Sequence, residues 1–379
     1  MSSERPSLDL ERQAQAKIYS RLRRRVGLLE MVLSPLYLLA WIRSGAAIEL
    51  AAWSRGLWNS WPSTLLVVAG GISLLWFLIS LPIAYYAGFH LPHRFGQSTQ
   101  TLAGWVSDLA KGILVGAAIG IPVLLGLYAI MDAWPDVWWA IAAVAYLGFT
   151  AVLSILAPVV LMPIFNRFRP LGEDRADLVE RLMRLSAAAG RKVRGVYSFD
   201  MSRRTRSANA ALVGLGRTRR IVLGDTLLDE FPSDEIEAVL AHELGHHVHR
   251  DIPVSVLLSA VVMLIELSIV DAVLASAVAR GDLAAPTDPA GLPFIALTFS
   301  LIGLIAAPLQ NAYSRWSERR ADAFSMHLTG RPQAFADAMT RLANQNLADA
   351  SPPRWAILLF GTHPALEERI RSAEGADGA

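Results

Sequence analysis

Long apolar runs separated by polar segments dominate the chain, and their lengths predict transmembrane helices. A helix needs about 20 mainly apolar residues to cross the hydrocarbon core of a bilayer. Six runs approach or exceed that length: 26–42, 64–89, 112–131, 137–165, 252–279 and 292–313. The first is the shortest and contains Glu30 and Pro35. We therefore expect a mainly α-helical, polytopic membrane protein with about six transmembrane helices.

Basic residues before the first run predict the orientation. Between residues 12 and 25 the chain carries six of them, and basic flanks near a first span normally stay in the cytoplasm. The charged segment before the first apolar run predicts a retained membrane anchor rather than a cleaved signal peptide. Counting spans divides the chain into a membrane region (1–166), a polar segment (167–251), two helices (252–313) and a polar tail (314–379). Both polar pieces and both termini are then expected on the cytoplasmic side of a bacterial inner membrane.

The two polar pieces share one face and can form a single domain. In the first piece we predict a helix from Asp174 to Ala189 and a strand within 193–199. A hairpin is predicted next, with strands at 210–215 and 220–223 and a turn through Gly216 and Arg217. A further helix begins near Pro232, with Asp234 and Glu237 at the spacing of a capping box. The expected domain is helical with a small sheet.

That last helix contains the motif HExxH, formed by residues 242–246. Residues four apart project from one helical face, so His242 and His246 can present two imidazoles to one zinc ion. Glu243 lies beside them, where it can act as the general base. The alternative is a solvated histidine cluster, because His247 and His249 stand nearby. The helical context favours the metal site.

A catalytic zinc ion usually has a third protein ligand. Just after the last predicted span, Glu318 and Asp322 are again four residues apart and return to the same side of the membrane. Glu318 is the candidate third ligand. Asp322 can accept a hydrogen bond from a zinc-bound imidazole and fix its tautomer.

Together these residues resemble the integral-membrane type I CAAX prenyl proteases, which are gluzincin zinc metalloproteases. The resemblance covers nearly everything after the second span. The segments that carry it are HELGHH (242–247), SRWSERRAD (314–322), THPALEERI (362–370), MPIFNRFRPL (162–171) and RIVLGDTLL (220–228).

The resemblance implies a zincin-like catalytic domain and several roles. It implies His242, His246 and Glu318 as ligands of one Zn²⁺ per chain, Glu243 as general base and Asp322 as the carboxylate behind an imidazole. It further implies that His363 and Arg369 lie near the bound peptide and stabilise the tetrahedral intermediate. The strand containing Asn209, Ala210 and Leu212 is implied to pair with the substrate backbone. The implied substrate is a peptide or protein lipidated at its C-terminus.

Two features depart from that family. Its members typically have seven spans around a water-filled chamber, whereas we predict six, with the missing span at the amino terminus. Relatives commonly carry an aromatic residue after the Asn-Ala pair, where this chain has Ala211. We therefore expect a modified substrate groove.

Composition excludes several other functions. Hydrophobic residues make up 53% of the chain and charged residues 18%, which is typical of a membrane protein whose partner is the lipid bilayer. The net charge of +2, without a basic arm, argues against nucleic acid as a partner. The absence of cysteine excludes thiolate metal sites.

Two alternative functions remain open from the sequence. One is a quality-control metalloprotease of the HtpX type, which shares the HExxH motif but usually has fewer spans. The other is a zinc transporter or sensor, which should place its ligands at bilayer depth. The roles of Glu266 and Asp271 within the fifth run are also open. Either Glu266 lines a water-filled chamber, or the span is tilted and both acids snorkel to the interface or pair with buried donors.

Overall fold

Among the residues that the structure describes, six helices are long and apolar enough to cross a bilayer, which confirms the predicted number. The computed structural model describes residues 5–214 and 218–377. The candidate spans are Leu10–Ser44, Trp61–Arg94, Leu102–Ala133, Trp138–Phe165, Asp251–Ala279 and Pro289–Thr329. The α-helices are α1 (Leu10–Ser44), α2 (Ala46–Trp58), α3 (Trp61–Tyr85), α4 (Leu91–Arg94), α5 (Leu102–Ala133), α6 (Trp138–Leu156), α7 (Met162–Phe165), α8 (Ala176–Ala188), α9 (Asp225–Glu230), α10 (Ser233–Val248), α11 (Asp251–Ala279), α12 (Leu292–Thr329), α13 (Pro332–Gln345), α14 (Arg354–Phe360) and α15 (Leu366–Asp377).

The first span is part of a much longer helix than the predicted run 26–42. At 1.5 Å per residue, the 35 residues of α1 extend over about 52 Å, more than the hydrocarbon core of about 30 Å. Its polar first half packs on the polar tail of the chain: the Gln13 side chain donates to the carbonyl of Ala348 and accepts from the amide of Ala350, both at 3.1 Å. The sequence pattern did not indicate this continuation, because its polar residues break the apolar run.

The two acids of the fifth span have different environments. The indole Nε1 of Trp138 donates to Asp271 Oδ1 at 2.7 Å, so Asp271 pairs with a donor from the neighbouring α6. Glu266 is buried and has no hydrogen-bond partner among the residues that the structure describes. Its role in a wet chamber stays a prediction.

The polar segment folds into a mixed four-stranded sheet in the order β1-β2-β4-β3. The strands are β1 (Phe168–Pro170), β2 (Val196–Phe199), β3 (Ala210–Val213) and β4 (Arg220–Gly224). The predicted hairpin is present, because β3 and β4 pair antiparallel with Ala211 opposite Val222. Leu215, Gly216 and Arg217 of the predicted hairpin lie outside the described residues. β3 is an edge strand of this sheet.

An apolar core fixes the zinc-motif helix α10 against this sheet. Leu182 of α8, Leu223 of β4, Leu240 of α10 and Phe335 of α13 are all fully buried in it. Such burial contributes about 1.5–3 kcal/mol for each large side chain. The core therefore holds α10 in place while its opposite face carries the polar residues of the motif.

Candidate active site

α10 begins near Pro232, as predicted, but its capping differs from the prediction. Its N-cap residue is Pro232, and no side chain caps the helix. Asp234 and Glu237 instead bind arginines: Arg181 Nε lies 2.8 Å from Glu237 Oε1, and Arg331 Nη1 lies 2.8 Å from Asp234 Oδ1. The predicted capping box is wrong, because charge-assisted bonds to two arginines compete for the carboxylates. These bonds connect the helix start to α8 and to the loop before α13.

Three side chains meet at the centre of the site. Nε2 of His242 and Nε2 of His246 are 3.2 Å apart. Glu318 of α12 places Oε2 at 3.3 Å from the first nitrogen and Oε1 at 3.4 Å from the second. Tetrahedral ligands at 2.0–2.1 Å from zinc lie about 3.3 Å from one another. The separations of 3.2–3.4 Å among His242, His246 and Glu318 therefore fit one metal ion, as the sequence predicted.

The Glu318 carboxylate supports that interpretation. The side chain is only 6% exposed, and its Oε2 atom accepts no hydrogen bond from the described residues. A buried carboxylate oxygen without a donor is costly unless a cation neutralises it. Two imidazoles and one carboxylate are also a usual ligand set for catalytic zinc. The donor set and its burial thus fit the metal that the sequence implied.

Gly245 allows α10 and α12 to approach closely enough for this arrangement. A Cβ atom at Gly245 would lie 3.0 Å from the Cα of Ala321 and 3.3 Å from the ring of Phe324. Contacts this short are rare for a side-chain carbon, so glycine at this position lets the two backbones touch. The close approach brings Glu318, three residues before Ala321, within reach of the imidazoles.

Each imidazole has its own carboxylate partner. Asp322 Oδ1 lies 2.8 Å from Nδ1 of His242, in the position predicted for it. Asp251 Oδ2 lies 2.9 Å from Nδ1 of His246. These contacts turn both Nε2 atoms toward the centre of the site. Asp251 was not among the residues predicted from the sequence; the chain brings it back through Arg250 in a left-handed conformation.

Arg369 and His363 occupy different sides of the site. The Arg369 guanidinium is buried and binds Asp322 through two parallel bonds of 2.8 and 2.6 Å. It therefore lies behind His242. His363 precedes α15, has 57% of its side chain exposed, and places Nε2 at 3.2 Å from Glu318 Oε1. Of the two residues, His363 is on the open side.

Burial and neighbouring charges shift the titration of these groups. Burial lowers the pKa of His242, but the neighbouring carboxylates of Asp322 and Glu318 outweigh it and raise that pKa to about 9. Burial raises the pKa of Glu243 above its ordinary value, against the opposing effect of the two imidazoles. Burial lowers the pKa of His363 below its ordinary value, against the opposing effect of the Glu318 carboxylate. Glu243 is thus a stronger base than a solvated carboxylate.

The predicted substrate-binding strand lies beside α10. Of the three residues named for it, Ala210 has outward main-chain groups with no hydrogen-bond partner among the described residues. The carbonyl of Asn209 accepts from the amide of Gly224, so the main-chain groups of Ala210 and Leu212 point away from β4. His247 Nε2 donates to the carbonyl of Leu212 at 3.0 Å. Ala210 therefore offers the outer edge for backbone pairing, whereas Asn209 and Leu212 have their carbonyls engaged.

Known proteins match both halves of the chain. A model of peptidase family M48 matches residues 173–377, and a model of the CAAX prenyl protease N-terminal region, with five membrane helices, matches residues 3–167. CAAX prenyl protease 1 of Saccharomyces cerevisiae is 30% identical over 325 residues, which are 80% of this chain and 71% of that protein. Within 3–167 this chain has four helices of spanning length and the 13-residue α2.

Two further similarities agree with this match. An uncharacterized metalloprotease, YhfN of Bacillus subtilis, is 29% identical over 312 residues, or 81% of this chain and 72% of that protein. The crystal structure of S. mikatae Ste24p has the same fold, with a TM-score of 0.86 at 24% identity, and the match covers 98% of this chain and 92% of that chain.

The extent of these matches decides between the functions that the sequence left open. The N-terminal membrane model disfavours an HtpX-type protease, and the match to a peptidase family over the whole polar domain disfavours a transporter or sensor. The chain belongs to peptidase family M48 and, within it, to the membrane-embedded metalloendopeptidases of the CAAX prenyl protease family.

Proposed function

We propose that this protein is a zinc-dependent endopeptidase of the bacterial inner membrane that cleaves peptides or proteins lipidated near their C-terminus. The observation that carries the proposal is the meeting of His242, His246 and Glu318 at the spacing of tetrahedral ligands, with Glu243 on the same helix. These three side chains would hold the metal. Bound there, zinc would supply Lewis-acid polarisation of the scissile carbonyl and a water of lowered pKa.

The chain's own residues supply proton transfer and orientation. Glu243 takes the proton of the attacking water, which its raised pKa favours, and passes it to the leaving amine. His363, on the open side next to Glu318, donates a hydrogen bond to the oxygen on which negative charge develops. Removing one such donor typically lowers the rate about 100- to 1000-fold. Asp322, held by Arg369, keeps His242 in the ligating tautomer.

Substrate binding uses the edge of the sheet. A peptide pairs with the outward main-chain groups of Ala210 by β-augmentation and so lies across the site. Asn209 supports this strand through its bond to Gly224, and Leu212 supports it through His247. The strand is thereby held rigid before the peptide arrives, which lowers the entropic cost of binding.

Two observations support the cytoplasmic side and the lipidated substrate. The polar half of α1, which carries the basic residues before the first span, packs on the catalytic domain, so the domain shares the side that these charges favour. The name of the yeast relative, CAAX prenyl protease 1, supports a prenylated substrate.

The experiment is a mass-spectrometric assay of peptide products by the full-length protein in lipid nanodiscs. Prenylated and unprenylated forms of one peptide are compared for the wild type and Glu243→Gln. We expect Glu243→Gln to abolish turnover while the metal content stays the same, and phenanthroline to inhibit the wild type. Glu230→Gln, an exposed carboxylate outside the site, is the matched control.

The two parts of the proposal fail separately. Cleavage by Glu243→Gln at the wild-type rate would contradict the mechanism. Equal cleavage of the prenylated and unprenylated peptides would contradict only the lipid preference.

A further inference from the structure

A cavity of about 670 Å³ lies at the end of the membrane region that faces away from the zinc site. Residues from the end of α1, the start of α2, the loop after α11 and the start of α12 line it. α11 begins at Asp251, which contacts His246, and its 29 residues put its other end about 43 Å away. The proposed catalytic residues therefore lie outside this cavity, whose volume is within the range of small-ligand sites.

The wall of the cavity is apolar where it lies within the membrane. Leu39 and Ile42 come from the last turns of α1, and Phe294 and Leu297 come from the first turns of α12. All four belong to the apolar runs that predict the first and last spans. Leu39 is exposed, so the other described elements leave this wall open toward the lipid chains. The wall is therefore at the depth of the hydrocarbon and can contact an acyl chain.

Two arginines line the cavity at the membrane surface. Arg43 and Arg280 are each the first charged residue after an apolar run, which places them at the level of the lipid headgroups. Arg280 Nε lies 2.9 Å from Oδ2 of Asp282, and its Nη1 donates to Ser276 Oγ at 2.7 Å. Arg43 is exposed and forms no hydrogen bond or ion pair with any residue that the structure describes. Asp282 is the one acid among the described lining residues, so one positive charge is in excess.

Neither membrane orientation nor the helix dipole accounts for the free donors of Arg43. Basic residues concentrate on the cytoplasmic side of membrane proteins, and Arg43 lies at the opposite end of α1 from the basic residues that favour this side. In the last turn of α1, its charge interacts favourably with the helix dipole. That interaction leaves all five N–H donors of the guanidinium available. A group with a negative charge and several acceptor oxygens is therefore the complementary ligand.

We propose that this cavity binds one anionic phospholipid from the leaflet that faces away from the zinc site. Arg43 and Arg280 contact the phosphate, because a guanidinium presents parallel N–H donors that match its oxygens. An acyl chain of the same lipid lies along the apolar wall. A zwitterionic lipid with an ammonium headgroup fits less well, because the ammonium meets the excess positive charge. The bound lipid contacts both α1 and α12 and stabilises their packing at this end.

The test titrates lipids onto the delipidated full-length protein in detergent and counts the bound molecules by native mass spectrometry. Phosphatidylglycerol and phosphatidylethanolamine with identical acyl chains are compared. The first phosphatidylglycerol is expected to bind about tenfold or more tightly than the first phosphatidylethanolamine, the range of hydrogen bonds to a charged group. Arg43→Gln should remove most of this preference. Arg43→Lys should keep part of it, because an ammonium retains the charge but not the paired donors.

Arg55→Gln is the matched control. Arg55 is an exposed arginine of α2, pairs with Asp288 in the loop before α12 and does not line the cavity, so the lipid preference should persist in this variant. The melting temperature is a second readout. Phosphatidylglycerol should raise it more than phosphatidylethanolamine does in the wild type and in Arg55→Gln, but not in Arg43→Gln.

Three outcomes would overturn the inference. The first is equal affinity of the wild type for the two lipids. The second is a preference that survives Arg43→Gln, or that Arg55→Gln removes equally, because the lipid would then respond to the general charge of this surface. The third is displacement of phosphatidylglycerol by inorganic phosphate, which would show an anion site without an acyl chain. None of these readouts depends on peptide cleavage, so they test the lipid site separately from the proposed function.

Discussion

His246 Nδ1 lies 2.9 Å from Oδ2 of Asp251, the first residue of the helix that returns the chain to the membrane. The same carboxylate oxygen accepts a hydrogen bond of 2.8 Å from Ser317 Oγ, and Arg320 binds the other oxygen. Asp251 is 5% exposed. The orientation of one metal-binding imidazole is therefore coupled to the start of a transmembrane helix and to α12.

Asp251→Ala is expected to weaken zinc binding. Loss of the carboxylate removes the acceptor that orients His246, and losing such a partner typically costs about 10- to 100-fold in metal affinity. Competition with a chromophoric chelator measures the change. Asp282→Ala, an exposed acid in the loop after α11, should leave the affinity unchanged. Equal affinities in the two variants would show that Asp251 does not orient the ligand.

Arg369→Met is expected to destabilise the protein by about 3–5 kcal/mol, because it leaves Asp322 buried without its charged partner. The free energy of unfolding in detergent measures this loss. Adding Asp322→Asn to Arg369→Met should recover part of it, since the buried charge is then removed.

An exposed ion pair provides the control for Arg369. Arg319 and Glu368 each have about half of their side chain exposed, so Arg319→Met should cost about 1 kcal/mol or less. A loss in Arg369→Met no larger than this would contradict the buried pair.

The metal-free protein is expected to lose stability as the pH rises from 6.5 to 9. Burial lowers the pKa of His242, but the neighbouring carboxylates of Asp322 and Glu318 raise it to about 9 from an ordinary value of 6.5. A raised histidine pKa contributes stability that is fully present below the unfolded value and is lost as the pH rises through the folded value.

The zinc-loaded protein should not show this dependence, because ligand imidazoles are already deprotonated. Thermal unfolding between pH 6 and 10, with and without a chelator, measures both forms. His242→Gln should reduce the decline in the metal-free protein. His246, whose pKa Glu318 and Asp251 also raise against the effect of burial, accounts for the remainder. A parallel decline in the zinc-loaded wild type would assign it to another group.

Gly245→Ala is expected to separate α10 from α12. Its new methyl group would meet the backbone of Ala321, and such overpacking typically costs about 1–3 kcal/mol. Because Glu318 lies on the displaced helix, zinc affinity should fall together with the melting temperature. Gly375→Ala, in a helix with open space around the new carbon, is the control and should be neutral or slightly stabilising. Unchanged zinc affinity in Gly245→Ala would refute the need for close approach.

Features with a local signal were predictable from the sequence. The length of each apolar run predicts a span, and the four-residue spacing places His242 and His246 on one helical face whatever the rest of the chain does. Alternating apolar residues around a turn likewise predicted the β3–β4 hairpin. The capping box failed despite its local spacing, because arginines from α8 and the loop before α13 bind its two carboxylates.

The remaining contacts join residues that are distant in the sequence, and only packing decides them. The number of spans, the helix that carries the metal motif and the candidate Glu318 all followed from the order of residues along the chain. Long-range packing places Arg369 behind His242, brings Asp251 to His246, and lets the polar half of α1 line a cavity beside His363. Helical periodicity follows from the backbone geometry of neighbouring residues. The partner of a buried charge depends on which elements the core brings together.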